Sequence, residues 1–313
     1  MTAYILRRLL ATIPVMVVVA VFVFFLLRLA PGDPAAIIAG EDATTQQIAA
    51  VRSKLGLDRP ILEQFAVWLL GMLHGDFGTS IFSNLPVGHL IMQRLEPTVS
   101  LTLSTLAVAV LLAIPLGVLA AWKARRTIDR LVMAFAVMGF AMPVFLVGYV
   151  LIYVFAVKLG WLPVQGYRPI GEGLWPWAES LILPSFALGI TYMALIARIT
   201  RASMLEVLAQ DYIRTADSKG LATSRVLLLH ALKNASVPIV TVIGIGIALL
   251  ISGVVITETV FNIPGLGRLT VDAVLKRDYP IVQGLIIVFA AAKVLVNLII
   301  DISYVFLDPR IRY

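Results

Sequence analysis

A cation, an amide and a carboxylate, Lys293, Asn297 and Asp301, recur at i, i+4 and i+8 inside an otherwise apolar run, which puts them on one face of a helix. A charge deep in such a run is costly in hydrocarbon and rarely faces lipid. Three chemistries fit: a polar contact that holds a bundle or a partner subunit, a group lining a pathway that meets or gates a solute, and a proton relay. The relay lacks a second deep acid in another run. The other informative group is Arg198–Lys233, RITRASMLEVLAQDYIRTADSKGLATSRVLLLHALK, where Arg198, Arg201, Arg214, Lys219, Arg225 and Lys233 stand against Glu206, Asp211 and Asp217. Met204, Val207 and Leu208 form an apolar stripe ending near Asp217; Gly220 takes a turn at little steric cost, and Ser224 is placed to cap a second helix running to about Leu232. Thr215, Ala216 and Gly220 are small where the two helices meet. The chemistry of this elbow is recognition: it fits a groove in a soluble partner. The blander reading is a loop helix lying on a membrane.

Bond-making chemistry finds no support. No G-x-x-x-x-G-K-[ST] run is present, so the chain is not expected to bind and hydrolyse ATP. Gly244-x-Gly246 lies inside an apolar run, the wrong context for a dinucleotide, and neither G-x-S-x-G nor H-E-x-x-H occurs. His74, His89 and His230 are scattered, and there is no cysteine, so no metal site is expected and disulfides are excluded.

The elements that must position these groups are membrane spans. The chain has 313 residues, 60% hydrophobic and 14% charged, with mean hydropathy +0.96. One soluble core cannot hide that much apolar surface, so the bilayer is its solvent. Uncharged runs cover Leu9–Leu27, Pro97–Trp122, Leu131–Val157, Ser180–Ala197 and Asn234–Thr257, and a sixth, Tyr279–Ile300, is broken only by Lys293. Each reaches the roughly 18 residues needed to cross about 30 Å of hydrocarbon, and backbone in lipid must be helical, so six transmembrane helices are expected. The first run is too long for a signal peptide and ends at Arg28 without an A-x-A site, which predicts an uncleaved span.

Loop charge predicts the orientation. The N-terminus, 122–130, 198–233 and the tail from Asp308 hold 14 Lys and Arg against five acids, whereas 31–97, 158–180 and 258–280 hold nine against 12. Both termini and the elbow are therefore expected in the cytoplasm. The formal net charge of +7 then reflects sorting across a membrane, and no nucleic-acid partner is expected.

The expected organisation is an N-terminal transmembrane helix over 1–30, an extracytoplasmic insert over 31–97, a five-helix core over 98–307 containing the loop 198–233, and a cytoplasmic tail over 308–313. Within the insert, Thr44 or Thr45 caps a helix to Leu55; Ile61–Leu73, too short to cross, is expected as an amphipathic helix on the outer interface; and Gly75-Asp76-Phe77-Gly78 reads as a turn. Pro115, Pro143, Pro184 and Pro238 mark kinks or helix starts. Gly244, Ala248 and Ser252 repeat every fourth residue, a face for close helix approach that serves bundle packing, a pathway or a subunit seam. Glu258 is expected at the water interface.

At Tyr212-Ile213-Arg214-Thr215-Ala216-Asp217-Ser218-Lys219-Gly220, followed by His230-Ala231-Leu232-Lys233-Asn234-Ala235 and Pro238, the chain resembles the signature loop of binding-protein-dependent ABC importer permeases of the dipeptide/oligopeptide/nickel branch. Tyr4 to Arg8, Pro31-Gly32-Asp33-Pro34, Leu55-Gly56-Leu57-Asp58, Gly75 to Gly78, Phe261-Asn262, Pro264-Gly265-Leu266-Gly267 and Leu307 to Tyr313 extend the resemblance over nearly the whole chain. Arg214-Thr215-Ala216 stands where other branches carry E-A-A, a departure that fits the peptide-type branch. The resemblance implies an all-α, type I ABC importer permease (MetI-like) fold in a bacterial inner membrane, with an outer insert between helices 1 and 2. It implies that Tyr212, Arg214, Thr215, Ala216, Asp217, Lys219 and Gly220 couple to a cytoplasmic ATPase. The implied partners are a second, related permease subunit forming a heterodimer, two ATPase subunits that hold the ATP and Mg, and an extracytoplasmic solute-binding protein. The implied solutes are di- or oligopeptides, with glutathione or a nickel chelate as alternatives; a stand-alone secondary transporter is the competing class.

Overall fold

Long uncharged runs leave the backbone no partner but itself, and nearly every described segment is accordingly helical. A computed structural model describes residues 2–29, 34–39, 43–54 and 56–307. The Pro31-Gly32-Asp33 part of the expected turn, Leu55 and the tail 308–313 lie outside the described residues. Among the described residues the one β pairing is the isolated antiparallel bridge Thr79–Pro86. The chain divides into two units, each with its own packing.

The first unit is Met1–Arg94 with Leu269–Val294. It contains α1 (Thr2–Leu29), α2 (Pro34–Ala39), α3 (Thr45–Lys54), α4 (Ile61–Leu73), the start of α5 (Val87–Trp122), the end of α12 (Leu266–Leu275) and the first part of α13 (Tyr279–Leu307). Thr44 caps α3 through a reciprocal pair: the Gln47 N–H donates to Thr44 Oγ1 at 3.3 Å, and the Thr44 N–H donates to Gln47 Oε1 at 2.8 Å. α4 differs from the expected amphipathic helix in having apolar residues on two faces. Phe65 and Trp68 pack on Phe24 of α1 with ring centroids 5.1 and 5.7 Å apart, while Leu62, Val67, Leu70 and Leu73 are exposed. Its polarity is confined to the first turn, where Arg59 pairs with Glu63 at 3.2 Å. Gly75 (φ 81°) and Gly78 (φ 79°) make the expected turn, in which Asp76 Oδ1 accepts the Gly78 N–H. Buried Asp278 accepts the Ser80 hydroxyl at 2.5 Å, and the buried Gln283 amide donates to Val23 O at 2.9 Å.

The second unit is Leu95–Arg268 with Leu295–Tyr313. It holds the rest of α5, α6 (Thr127–Ala141), α7 (Val144–Leu151) continuing as a π-helical turn over Ile152–Lys158, α8 (Leu174–Leu208), α9 (Asp211–Ser218), α10 (Thr223–Arg225) continuing as a π-helical turn over Val226–Leu232, and α11 (Lys233–Val260). α8 is its axis. Leu181, Leu188 and Ile196 are fully buried among Leu101, Ala109 and Ala113 of α5, Val147 of α7, and Leu250 and Val254 of α11.

One expectation is met here and one is corrected. The third run, Leu131–Val157, breaks at Pro143 as expected: α6 and the segment from Val144 are bent by 108°. Met142 takes the extended backbone that a following proline favours, and Pro143, lacking an N–H, starts α7. Of the elbow's helices, α9 is a separate short piece as expected, but the second is not. α8 carries span four on to Leu208, and the helix that starts at Thr223 runs through Leu232 into α11 because nothing between them breaks it. Ser224 lies inside that helix, whose cap residue is Ala222. Among the described residues, four helices are long and apolar enough to cross a membrane alone and the bent pair makes a fifth; the first expected run lies in α1, a 28-residue helix whose described apolar part, Leu10–Phe25, is shorter.

Candidate functional site

The elbow is built from α9 and the turn that ends it. Ile213 and Ala216 point inward and are buried with Met204 of α8, Val226, Leu227 and Ala231 of the π-helical turn, and Val118 and Ala121 of α5. Tyr212, 44% exposed, Arg214, Thr215, Asp217, Lys219 and Gly220 form the open side. Six of the seven expected coupling residues therefore share an exposed surface, and Ala216 instead seats the helix. Gly220 has φ +74°; its N–H donates to Asp217 O at 2.9 Å, and the Leu221 N–H donates to Ala216 O at 3.4 Å. That pair of bonds is the Schellman ending of a helix, which needs the left-handed conformation at its glycine position. Nothing lies within 4 Å of where a Gly220 Cβ would stand, so the requirement is conformational and not one of space. The open side is amphoteric: Arg214 pairs with Asp211 at 3.4 Å, an exposed pair of little energetic weight, beside Asp217 and Lys219.

Behind the elbow, three residues of one stretch of α8 each engage a different element. Thr200 lies against Gly117 of α5, where an added Cβ would come within 2.6 Å of Thr200 Cβ and 2.7 Å of Ala197 O. Arg201 reaches α6: Nε donates to Asp129 Oδ1 at 2.5 Å and Nη2 to Asp129 Oδ2 at 2.7 Å. Asp129 is buried in the first turn of α6 and also accepts the Arg125 N–H at 2.8 Å. Met204 is fully buried under α9. From the sequence, Asp129 and Arg201 were only loop charges; a pairing 72 residues apart carries no local signal.

At the opposite end of α11, Glu258 is completely buried, which corrects its expected place in water. Glu258 Oε1 accepts the Thr98 hydroxyl at 2.6 Å, and Oε2 accepts the Arg268 N–H at 2.9 Å. Thr98 Oγ1 in turn accepts the Leu266 N–H at 2.8 Å. Gly265 and Gly267 pack flush on this carboxylate; a Cβ on Gly267 would lie 2.6 Å from Val255 Cα. The Pro264-Gly265-Leu266-Gly267 run is thus a collar around a buried acid. Nearby in sequence to Thr98, Glu96 accepts the Tyr167 hydroxyl and the Ile170 N–H, each at 3.0 Å, and burial pushes the Tyr167 phenol above its usual range, keeping it a donor.

The span residues are placed as follows. Lys293 sits at the midpoint of α13, exposed, with no hydrogen bond or ion pair among the described residues. Asn297 is exposed and Asp301 half-buried. Gly244 faces Ile300 of α13, where a Cβ would lie 2.5 Å from its Cδ1; the side chains of Ala248 and Ser252 are outside those described. Among the described residues no cluster of three His, Cys, Asp or Glu groups is arranged for a metal ion.

Residues 113–313 match the family described as "Binding-protein-dependent transport system inner membrane component", and residues 1–102 match its N-terminal counterpart. A probable peptide ABC transporter permease protein of Sinorhizobium fredii is 54% identical over the full length of both chains. Glutathione transport system permease proteins of Salmonella paratyphi A and Escherichia coli are 44% identical, again over both full lengths. Among solved structures, a chain of the MetNI methionine ABC transporter in an inward-facing conformation superposes with TM-score 0.59 at 15% identity, covering 70% of this chain and 96% of its own, a likeness of fold.

Proposed function

Because this chain belongs to the binding-protein-dependent transport system inner membrane component family and is the membrane permease subunit of an ABC importer, we propose that it forms half of a pathway for peptides and is driven through its elbow. Membership implies partner subunits of the ATPase and binding-protein kinds. The finer assignment is ours: a second, related permease subunit completes the pathway, two ATPase subunits hold the ATP and Mg, and one of them grips the face of Tyr212, Arg214, Thr215, Asp217, Lys219 and Gly220. Both termini and the elbow lie in the cytoplasm, and the 31–97 insert meets the binding protein or the second permease subunit outside.

The observation that carries this reading is the elbow's construction. Its inner face is buried against three helices of the second unit, while its outer face offers charges, hydrogen-bonding groups and an aromatic ring. An element so built is held firmly from within and open to a rigid partner. ATP-driven closure of the two ATPases would draw the elbows together and turn the helices they join as rigid bodies, the usual repertoire of switching transitions. The peptide assignment leans on the 54% identical relative. A second reading, glutathione, is favoured by the 44% identical relatives, and it is chemically adjacent because glutathione is itself a small peptide. Vesicles carrying the complete complex, with ATP on the ATPase side, decide between them. Uptake of labelled di- and oligopeptides that requires both ATP and binding protein supports the main reading, uptake of glutathione alone supports the second, and uptake by the purified chain without ATPases contradicts both.

A further inference from the structure

Packed helices slide past one another at low cost, because apolar contacts tolerate small shears. A movement started at α9 would dissipate in that way unless something fixes the register of α8 against its neighbours. One turn of α8 supplies three connections: Thr200 against the backbone-close Gly117 of α5, Arg201 on Asp129 of α6, and Met204 under the buried face of α9. Of these, only the second is directional. Two parallel N–H···O bonds between a planar guanidinium and a carboxylate hold one geometry and resist sliding in the plane of the pair. The Asp129 end is fixed further by the Arg125 N–H and by its place in the first turn of α6, where the helix dipole favours a negative charge. Arg125 itself is held at φ +64°, a conformation non-glycine residues seldom take. Beyond Asp129, Gly139 of α6 lies close against Ile190 of α8, and the helix then meets the 108° bend at Pro143.

We propose that the Asp129–Arg201 pair is the strut that carries movement of the elbow into α6 and the bent span α6–α7. Asp129 and Arg201 are then positioning residues, touching neither solute nor nucleotide. The proposal rests on the reading of the elbow as the ATPase contact.

The test uses the complete complex in vesicles, measuring three quantities: ATPase copurified with the permease, ATP hydrolysed, and solute moved per ATP. The double variant D129N/R201Q removes the charge pair with little change in volume. It should retain bound ATPase and hydrolyse ATP within about twofold of the unaltered complex, while solute moved per ATP falls by roughly 5- to 150-fold, the range of ordinary coupling between sites. Because the chain has no cysteine, D129C/R201C bridged by a short reducible thiol cross-linker replaces the strut without any charge. Bridging should raise solute per ATP towards the unaltered value, and reduction of the same sample should lower it again.

An unchanged ratio in D129N/R201Q, or equal ratios before and after reduction, overturns the strut. Loss of ATPase from D129N/R201Q that bridging restores also overturns it, since the pair would then serve assembly. The elbow reading is checked separately with A216R, which forces a charge under α9. If that variant keeps its ATPase and its transport, the elbow is not the contact and the proposal falls with it; if it loses them while the strut variants behave as unaltered, the strut alone is wrong.

Discussion

Gly220 offers a graded test of the elbow. Its φ of +74° belongs to the left-handed region, its N–H and that of Leu221 close the Schellman ending of α9, and no atom lies within 4 Å of a would-be Cβ. A substitution there meets no clash within the chain, so its cost is the backbone cost alone. For an ordinary L-residue that is about 1–2 kcal/mol, with β-branched residues at the upper end, whereas Asn visits this region readily. If the ATPase binds only the closed elbow, its apparent dissociation constant rises by the inverse of the fraction that stays closed. Where the unaltered elbow closes with a free energy equal to that strain, the variant stays half closed and binding weakens about twofold; the upper limits, reached as closure becomes marginal in the unaltered chain, are about 5-fold for G220A and about 30-fold for G220V, from roughly 1 to 2 kcal/mol. G220N should stay within about twofold of the unaltered chain on the same argument. Titration of the purified ATPase onto permease in nanodiscs, read by fluorescence anisotropy, measures all three. The order Asn, Ala, Val of increasing damage is the expected result. Equal damage from Asn and Val would refute the conformational argument and show that the open space beside Gly220 is filled by the partner; binding unchanged in G220V would refute the role of the turn.

Three further outcomes are expected. E258L removes the completely buried carboxylate that accepts the part-buried Arg268 N–H and the Thr98 hydroxyl, a loss of about 1–3 kcal/mol per orphaned group, so thermal unfolding of the purified subunit should come markedly earlier than in E258Q; equal melting of the two would contradict the collar. K293M removes a charge that has no partner among the described residues, so the isolated subunit should keep its stability within about 0.5 kcal/mol, and a large destabilisation in a melting assay would show a contact inside the chain. The exposed leucines of α4 continue from a helix seated on α1, so a nitroxide on L70C should be shielded from water-soluble relaxants and reached by oxygen, and the same label on R59C should behave oppositely; identical accessibility would place that face of α4 out of the lipid.

The parts of this molecule that were legible in the sequence are those written in local spacing. The six runs are legible because a single charge interrupts only one of them, at Lys293. Thr44, Asp76 and Gly220 announce their structures through residues no more than five positions away. The outward face of the elbow was legible in its residues, although Ala216 turned inward because α9 must bury something to stay seated. What was hidden depends on partners far along the chain. Pro143 marks a break, but the 108° bend is held by α6 and α7 each packing on α8, through Gly139 against Ile190 and through Val147. Glu258 reads as a surface acid until Thr98, 160 residues earlier, closes over it. Ser224 has the side chain of a cap, yet the cap falls two residues sooner, at Ala222, and the helix runs on, because Val226–Leu232 supplies no residue to end it.

An ATPase that grips the exposed side of α9 must come within cross-linking reach of it. Y212C, carrying a short thiol-linked photocrosslinker, places a reporter on that side in a chain that has no other cysteine. In the intact complex one major cross-linked product is expected, joining this subunit to the ATPase and changing in yield when ATP is bound and hydrolysed. Cross-linking to the external binding protein, or labelling of the same cysteine by a membrane-impermeant reagent from outside sealed cells, would contradict it.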